Sequence, residues 1–171
     1  MIFIIIRVRL VFKIGVKLMT NRSESETVLN KLLVQLFRDI LDIEEKCLQN
    51  SEFSDLSVTE IHVIEAISID KERTMSEVAY DLNITVGTLT TAINKLIKKG
   101  YVDRRRIEED RRVVLIKLTE KGKDVYKFHE EFHNDMIKYT IDSFTIEEEK
   151  VLVYALKKIA GFFEEKYHLI K

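Results

Sequence analysis

Proline is absent from the 171-residue chain and glycine occurs only five times. A loop-rich sandwich, a collagen-like repeat and a proline-rich disordered region all depend on such breakers, so all three are excluded and long helices become the default. Cysteine is nearly absent as well. With Cys47 alone, the chain can build neither an internal disulfide framework nor a cysteine-only zinc site, and the usage fits a reducing compartment. What is present is 46% hydrophobic and 33% charged residues, enough for a core and a solvated surface, which argues against intrinsic disorder. The length suits one domain, or one domain with a helical extension.

A long uncharged apolar run is also missing. Residues 1–18, MIFIIIRVRLVFKIGVKL, carry Arg7, Arg9, Lys13 and Lys17 spread through the stretch. A secretory signal concentrates its charge before an unbroken apolar run, and a membrane span needs about 20 nearly uncharged residues. Neither pattern is met, so no membrane partner is expected. Met19 is followed by the polar Thr20, Asn21, Arg22 and Ser23. The expectation is that residues 1–18 derive from an upstream start and form a non-native or disordered extension, with an amphipathic anchor as the alternative.

The net charge of −1 conceals an asymmetry. Between Thr85 and Arg112 eight cations face four anions, a surplus of +4, which leaves −5 for the remainder. An acidic body with one basic segment suggests a localised polyanion-binding face. The competing reading is that these arginines and lysines form an ordinary solvated surface.

Apolar residues at 29, 32, 33, 36, 37, 40, 43 and 47 fall at helical spacing and predict a long first helix over 28–48. Ser57 with Glu60, and Thr74 with Glu77, are capping-box pairs that open two further helices. Asn83 tolerates the left-handed geometry of a tight turn. Thr85 is an N-cap for a fourth helix that buries Leu89, Ala92, Ile93, Leu96 and Ile97 and ends at Gly100. The period then changes, and 101–106 and 113–118 read as a β-hairpin. Thr119 begins a helix carrying Val125, Phe128, Phe132, Met136 and Tyr139. Thr145 with Glu148 caps a last one with a stripe of Leu152, Leu156, Ile159, Phe163 and Tyr167.

Helix, short helix, tight turn, helix and an arginine-bearing hairpin describe a winged helix-turn-helix: mainly α with a small β-hairpin wing and a helical dimerisation region. In this arrangement the fourth helix fits a major groove of double-stranded DNA. Thr85 caps it, and Val86, Gly87, Thr88, Thr90, Thr91, Asn94, Lys95 and Lys98 lie off its apolar stripe, with Gly87 allowing close backbone approach. Arg106, Arg111 and Arg112 near the hairpin tip are placed to enter a minor groove or clamp phosphates. The reading divides the chain into 55–118 for DNA binding, and 24–50 with 119–171 for dimerisation.

The run GYVDRRRIEEDRRVVLIKLTEKG, Gly100 to Gly122, resembles the wing signature of the MarR family of bacterial transcription regulators, including the pair Asp110 and Arg112. The resemblance implies a cytoplasmic homodimer whose first, fifth and sixth helices interlock, each protomer offering one winged helix to a half-site of a pseudo-palindromic operator. It also implies that Asp110 orients Arg112 for the minor groove. Within the family, IEE (Ile43 to Glu45), FSDLSVTEIHVIEAI (Phe53 to Ile67), NITVGTLTTAIN (Asn83 to Asn94) and FHEEFH (Phe128 to His133) resemble the fatty-acid-biosynthesis repressors of low-GC Gram-positive bacteria. That branch implies no required cofactor and an acyl-acyl carrier protein as corepressor.

His129 and His133, four apart, share a helix face and can hold a transition metal. With Glu44 and His62 they align with a Glu/His/His/His zinc site of a zinc-sensing branch. That branch's companion site is lost, however, because Asn50, Ile61 and Phe128 stand where it uses a Cys and two Glu. A buried hydrogen-bonded network around a ligand pocket is the other reading of these four residues. Peroxide-sensing relatives carry a reactive Cys near the start of the first helix, whereas Cys47 sits near its end, on its apolar side, and reads as an inert thiol. No phosphate-binding glycine loop, nucleophile elbow or metalloprotease motif occurs, so no enzyme is expected. From a different class, a helical protein-interaction module stays open at this stage, since its basic segment would equally suit an acidic partner.

Overall fold

The computed structural model describes residues 22–108 and 113–167, so residues 1–18 lie outside it. The described residues fall into two compact units that divide between Asn50 and Ser51. The first contributes α1 (Arg22–Gln49). This helix begins earlier than its apolar pattern predicts, because local pairs extend it: Arg22 Nε lies 3.4 Å from Glu26 Oε1, and Thr27 Oγ1 donates to the Ser23 carbonyl at 3.0 Å. Much of its apolar stripe is exposed, including Leu29, Leu32, Leu36 and Phe37.

The second unit runs α2 (Val58–Ile67), β1 (Arg73–Thr74), α3 (Met75–Asp81), α4 (Val86–Lys98), β2 (Val102–Arg106), β3 (Val114–Leu118), α5 (Glu120–Ile141) and α6 (Ile146–Tyr167). The helix starts fall where the cap residues place them. Ser57 Oγ accepts from the Glu60 amide at 3.3 Å while Glu60 Oε2 accepts from the Ser57 amide at 2.9 Å, and Thr74 with Glu77 and Thr145 with Glu148 repeat the exchange. Asn83 turns the chain between α3 and α4 at φ 53°, and Gly100 leaves α4 at φ 82°. Ser68, at φ 66°, is a third left-handed residue that the sequence does not announce.

Among the described residues three strands rather than two form the sheet. Its order is β1-β3-β2, all antiparallel, with Val102 opposite Leu118 and Arg106 opposite Val114. The added strand is two residues long, too short to show alternation, and it forms because β3 offers Leu115 and Ile116 as an open edge. Leu89, Ile93 and Leu96 of α4, Ile61, Ile64 and Ile67 of α2, Val78 of α3, Ile116 of β3 and Val125 of α5 make the core. Burying each such side chain is worth roughly 1.5–3 kcal/mol.

The sixth-helix stripe behaves otherwise. Within the chain α6 buries no residue: Leu152 and Ile159 are half-buried, while Leu156, Phe163 and Tyr167 are exposed. On α5, Val125 is buried, Phe128, Phe132 and Met136 are half-buried and Tyr139 is exposed. Among the described residues no helix is long and apolar enough to cross a membrane.

Candidate nucleic-acid interface

The fourth helix is amphipathic in the sense its sequence predicts. Leu89, Ile93 and Leu96 face the core, and Thr85, Val86, Gly87, Thr88, Thr91, Asn94, Lys95 and Lys98 are exposed. Thr90 is half-buried, which corrects its placement fully off the stripe. Space is open at Gly87, where an added Cβ would meet only Thr85 Oγ1 at 3.7 Å. The hydroxyls are already engaged. Thr85 Oγ1 accepts from the Thr88 amide at 3.1 Å and lies 2.9 Å from Thr88 Oγ1, Thr90 donates to the Val86 carbonyl at 2.7 Å and Thr91 to that of Gly87 at 3.3 Å. Thr90 and Thr91 therefore offer lone pairs outward while their protons stay within the helix.

The basic segment is less uniform than its charge count suggests, because two of its cations are tied down. Lys99 Nζ reaches both Glu60 oxygens at 2.8 and 2.9 Å and the Asp55 carbonyl at 2.6 Å. Burial pushes the Glu60 carboxyl up, but the Lys99 ammonium and the Ser57 donors together outweigh it and hold the group below its ordinary range. Arg105 Nε donates to Glu72 Oε2 at 2.9 Å and Arg105 Nη2 donates to the same oxygen, so the Glu72 carboxyl is also held low, chiefly by these hydrogen bonds. Lys95, Lys98, Arg104 and Arg106 remain as exposed cations on α4 and β2. Arg104, which sequence reasoning passed over as a site residue, donates from Nη1 to Asn94 Oδ1 at 3.1 Å. Asp110, Arg111 and Arg112 lie outside the described residues.

Comparison with known proteins adds the family. A family model described as transcriptional regulator SarA/Rot matches residues 49–128. Streptococcus pneumoniae FabT, solved in complex with DNA, is 38% identical, with 82% of this chain and 98% of that chain covered at a TM-score of 0.78. A MarR protein from Peptoclostridium difficile is 25% identical, covering 92% and 97% at a TM-score of 0.66. The SarZ regulator of Staphylococcus saprophyticus is 34% identical over 60% of this chain and 71% of its own length. The chain belongs to the MarR family. It is a DNA-binding transcriptional regulator with the MarR winged-helix fold.

In this MarR-family chain the histidines of the second unit do come together. His129 is buried on α5, its ring centroid 4.4 Å from that of His133 and 5.6 Å from that of His62 on α2. Glu65 joins them, with Oε2 at 3.6 Å from His129 Nδ1, and donor atoms of Glu65, His129 and His133 all lie within 4.8 Å of one another. Glu65 follows His62 by three residues on α2, a same-face spacing that was available in the sequence as the signal for it. Glu44 is a buried residue of α1 in the first unit. Cys47 is half-buried and burial pushes its thiol up, as an inert role requires.

Proposed function

We propose that this MarR-type regulator is a homodimeric repressor that lays α4 of each protomer in a major groove of a pseudo-palindromic operator and controls fatty-acid synthesis genes in response to an acyl-acyl carrier protein. One observation carries the DNA-binding geometry: α4 turns its three buried leucine and isoleucine side chains inward while Val86, Gly87, Thr88, Asn94, Lys95 and Lys98 face solvent. Exposed apolar residues on α1 and α6, among them Phe37, Leu41, Val151, Tyr154 and Phe162, support a second copy as their cover. Such a protein works in the cytoplasm, where bacterial chromosomal DNA is reached.

Thr88→Ala and Asn94→Ala should each weaken specific operator binding by about 1–3 kcal/mol and leave the melting temperature unchanged, since both are exposed. An equilibrium titration in which both variants bind like the parent would remove α4 from the groove. Binding to random duplex should also fall steeply with salt; no binding at all would favour the protein-interaction module.

The fatty-acid reading is supported by the 38% identity to FabT over nearly its whole length. Long-chain acyl-acyl carrier protein should shift operator affinity by a coupling of about 1–3 kcal/mol, and a short-chain form should shift it less, because each buried methylene is worth about 0.8 kcal/mol. A second reading, zinc sensing, is favoured by the clustering of Glu65, His129 and His133. Two imidazoles and a carboxylate are suitable zinc donors. Zinc is nonetheless expected to change operator affinity little; a tenfold response that His129→Ala abolishes, with acyl-acyl carrier protein inert, would establish the zinc reading instead.

A further inference from the structure

Asn94 and Arg104 are ten residues apart, on α4 and β2, and both are exposed. Arginine has five N–H donors and no acceptor, so the Asn94 atom that meets Arg104 Nη1 at 3.1 Å has to be the carbonyl oxygen. That contact fixes the amide. Its NH2 group, without a partner among the described residues, is left as the group offered outward. Adenine is recognised by asparagine through two bonds, the oxygen accepting from N6 and the nitrogen donating to N7. The oxygen keeps its second lone pair, but a guanidinium bonded to it draws its electron density away and places a positive charge beside any further N–H, which weakens it as a partner for N6, whereas the free NH2 suits a base edge made of acceptors.

Resting on the proposal that α4 occupies the major groove, we infer that Arg104 is a specificity-determining residue that converts Asn94 into a hydrogen-bond donor. The base beneath Asn94 is then one presenting acceptors, guanine or thymine, rather than adenine. Arg104 also lines an open cleft of about 280 Å3 with Arg105, Arg106 and Val114, a basic surface on which a DNA phosphate can be held. Arg105, the next residue on the strand, provides a matched control, because its charge is committed to Glu72.

The test is selection of binding sites from a randomised duplex library by the parent, Asn94→Ala, Arg104→Ala and Arg105→Ala proteins, with melting temperatures confirming the fold of each. The parent should select guanine or thymine at a position where Asn94→Ala becomes indifferent. Arg104→Ala should move that position toward adenine by about fivefold or more, as the released amide pairs with both adenine groups, and Arg105→Ala should keep the parent preference. If Arg104→Ala keeps guanine or thymine there and merely binds more weakly, or if the parent selects adenine, the inference is overturned while the placement of α4 stands. If Asn94→Ala changes no position, the placement falls and takes the inference with it.

Discussion

Gly122→Ala is expected to be the most damaging single-methyl change in the protein, lowering stability by about 3 kcal/mol or more. Gly122 lies buried in the first turn of α5, its amide donating to Thr119 Oγ1 at 3.1 Å. A Cβ there would run into the carbonyl oxygen of Tyr101, far inside van der Waals contact, and would stand 3.2 Å from Leu118 Cβ. Neither neighbour can retreat. The Tyr101 carbonyl accepts from the Thr119 amide at 3.1 Å, the Tyr101 ring is fully buried, and its hydroxyl donates to Asp55 Oδ1 at 2.6 Å. Relief requires α5 to pull away from the α4–β2 junction, which opens the core at Leu118 and Val125. For a chain of this size the loss corresponds to a fall in Tm of roughly 6–12 °C. A thermal melt of Gly122→Ala within a degree or two of the parent would show that the junction is not packed as described.

Glu60 is expected to give the second largest effect, and one that depends on pH. Replacing it by Ala removes half of the capping box at Ser57 and leaves Lys99, only 29% exposed, without its carboxylate. Together these should cost about 2–3 kcal/mol, below the figure for a fully buried pair because water still reaches the ammonium. The sign of the pH effect follows from the direction of the shift. The folded protein holds the carboxyl below its ordinary range, so its stabilisation is present above that range and is lost as pH falls through the depressed value. The stability gap between the parent and Glu60→Gln, measured by urea unfolding, should therefore be widest near neutral pH and narrow only as the pH falls below the usual glutamate range. A gap that stays constant across that interval would mean that the ion pair contributes nothing.

The features legible in the sequence are those whose physics closes within a few residues. The caps at Ser57, Thr74, Thr85 and Thr119 each satisfy an amide three positions on. Asn83 and Gly100 are where they are because a left-handed turn penalises other side chains. The exposed face of α4 follows from a 3.6-residue period read once the helix is placed. The MarR resemblance rests on one contiguous run, Gly100 to Gly122, which these elements frame.

Other features depended on where the fold brings distant segments. Lys99 and Glu60 are 39 residues apart and Arg105 and Glu72 are 33 apart, so no spacing rule could show that two cations of the basic segment are spent on internal partners. The strand at Arg73–Thr74 has no pattern of its own and exists because β3 supplies the ladder. Glu65 displays its relation to His129 only after α2 and α5 pack. The stripe on α6 was readable as apolar, but a period states which residues share a face and never which surface covers it. The sequence by itself thus determined the helices and the hairpin, their caps and the outward face of α4, because those follow from neighbours along the chain. Which charges stay exposed, which histidines meet and what Asn94 can donate were decided only by tertiary structure, because hydrogen bonds and ion pairs form between atoms close in space, whatever their separation in sequence.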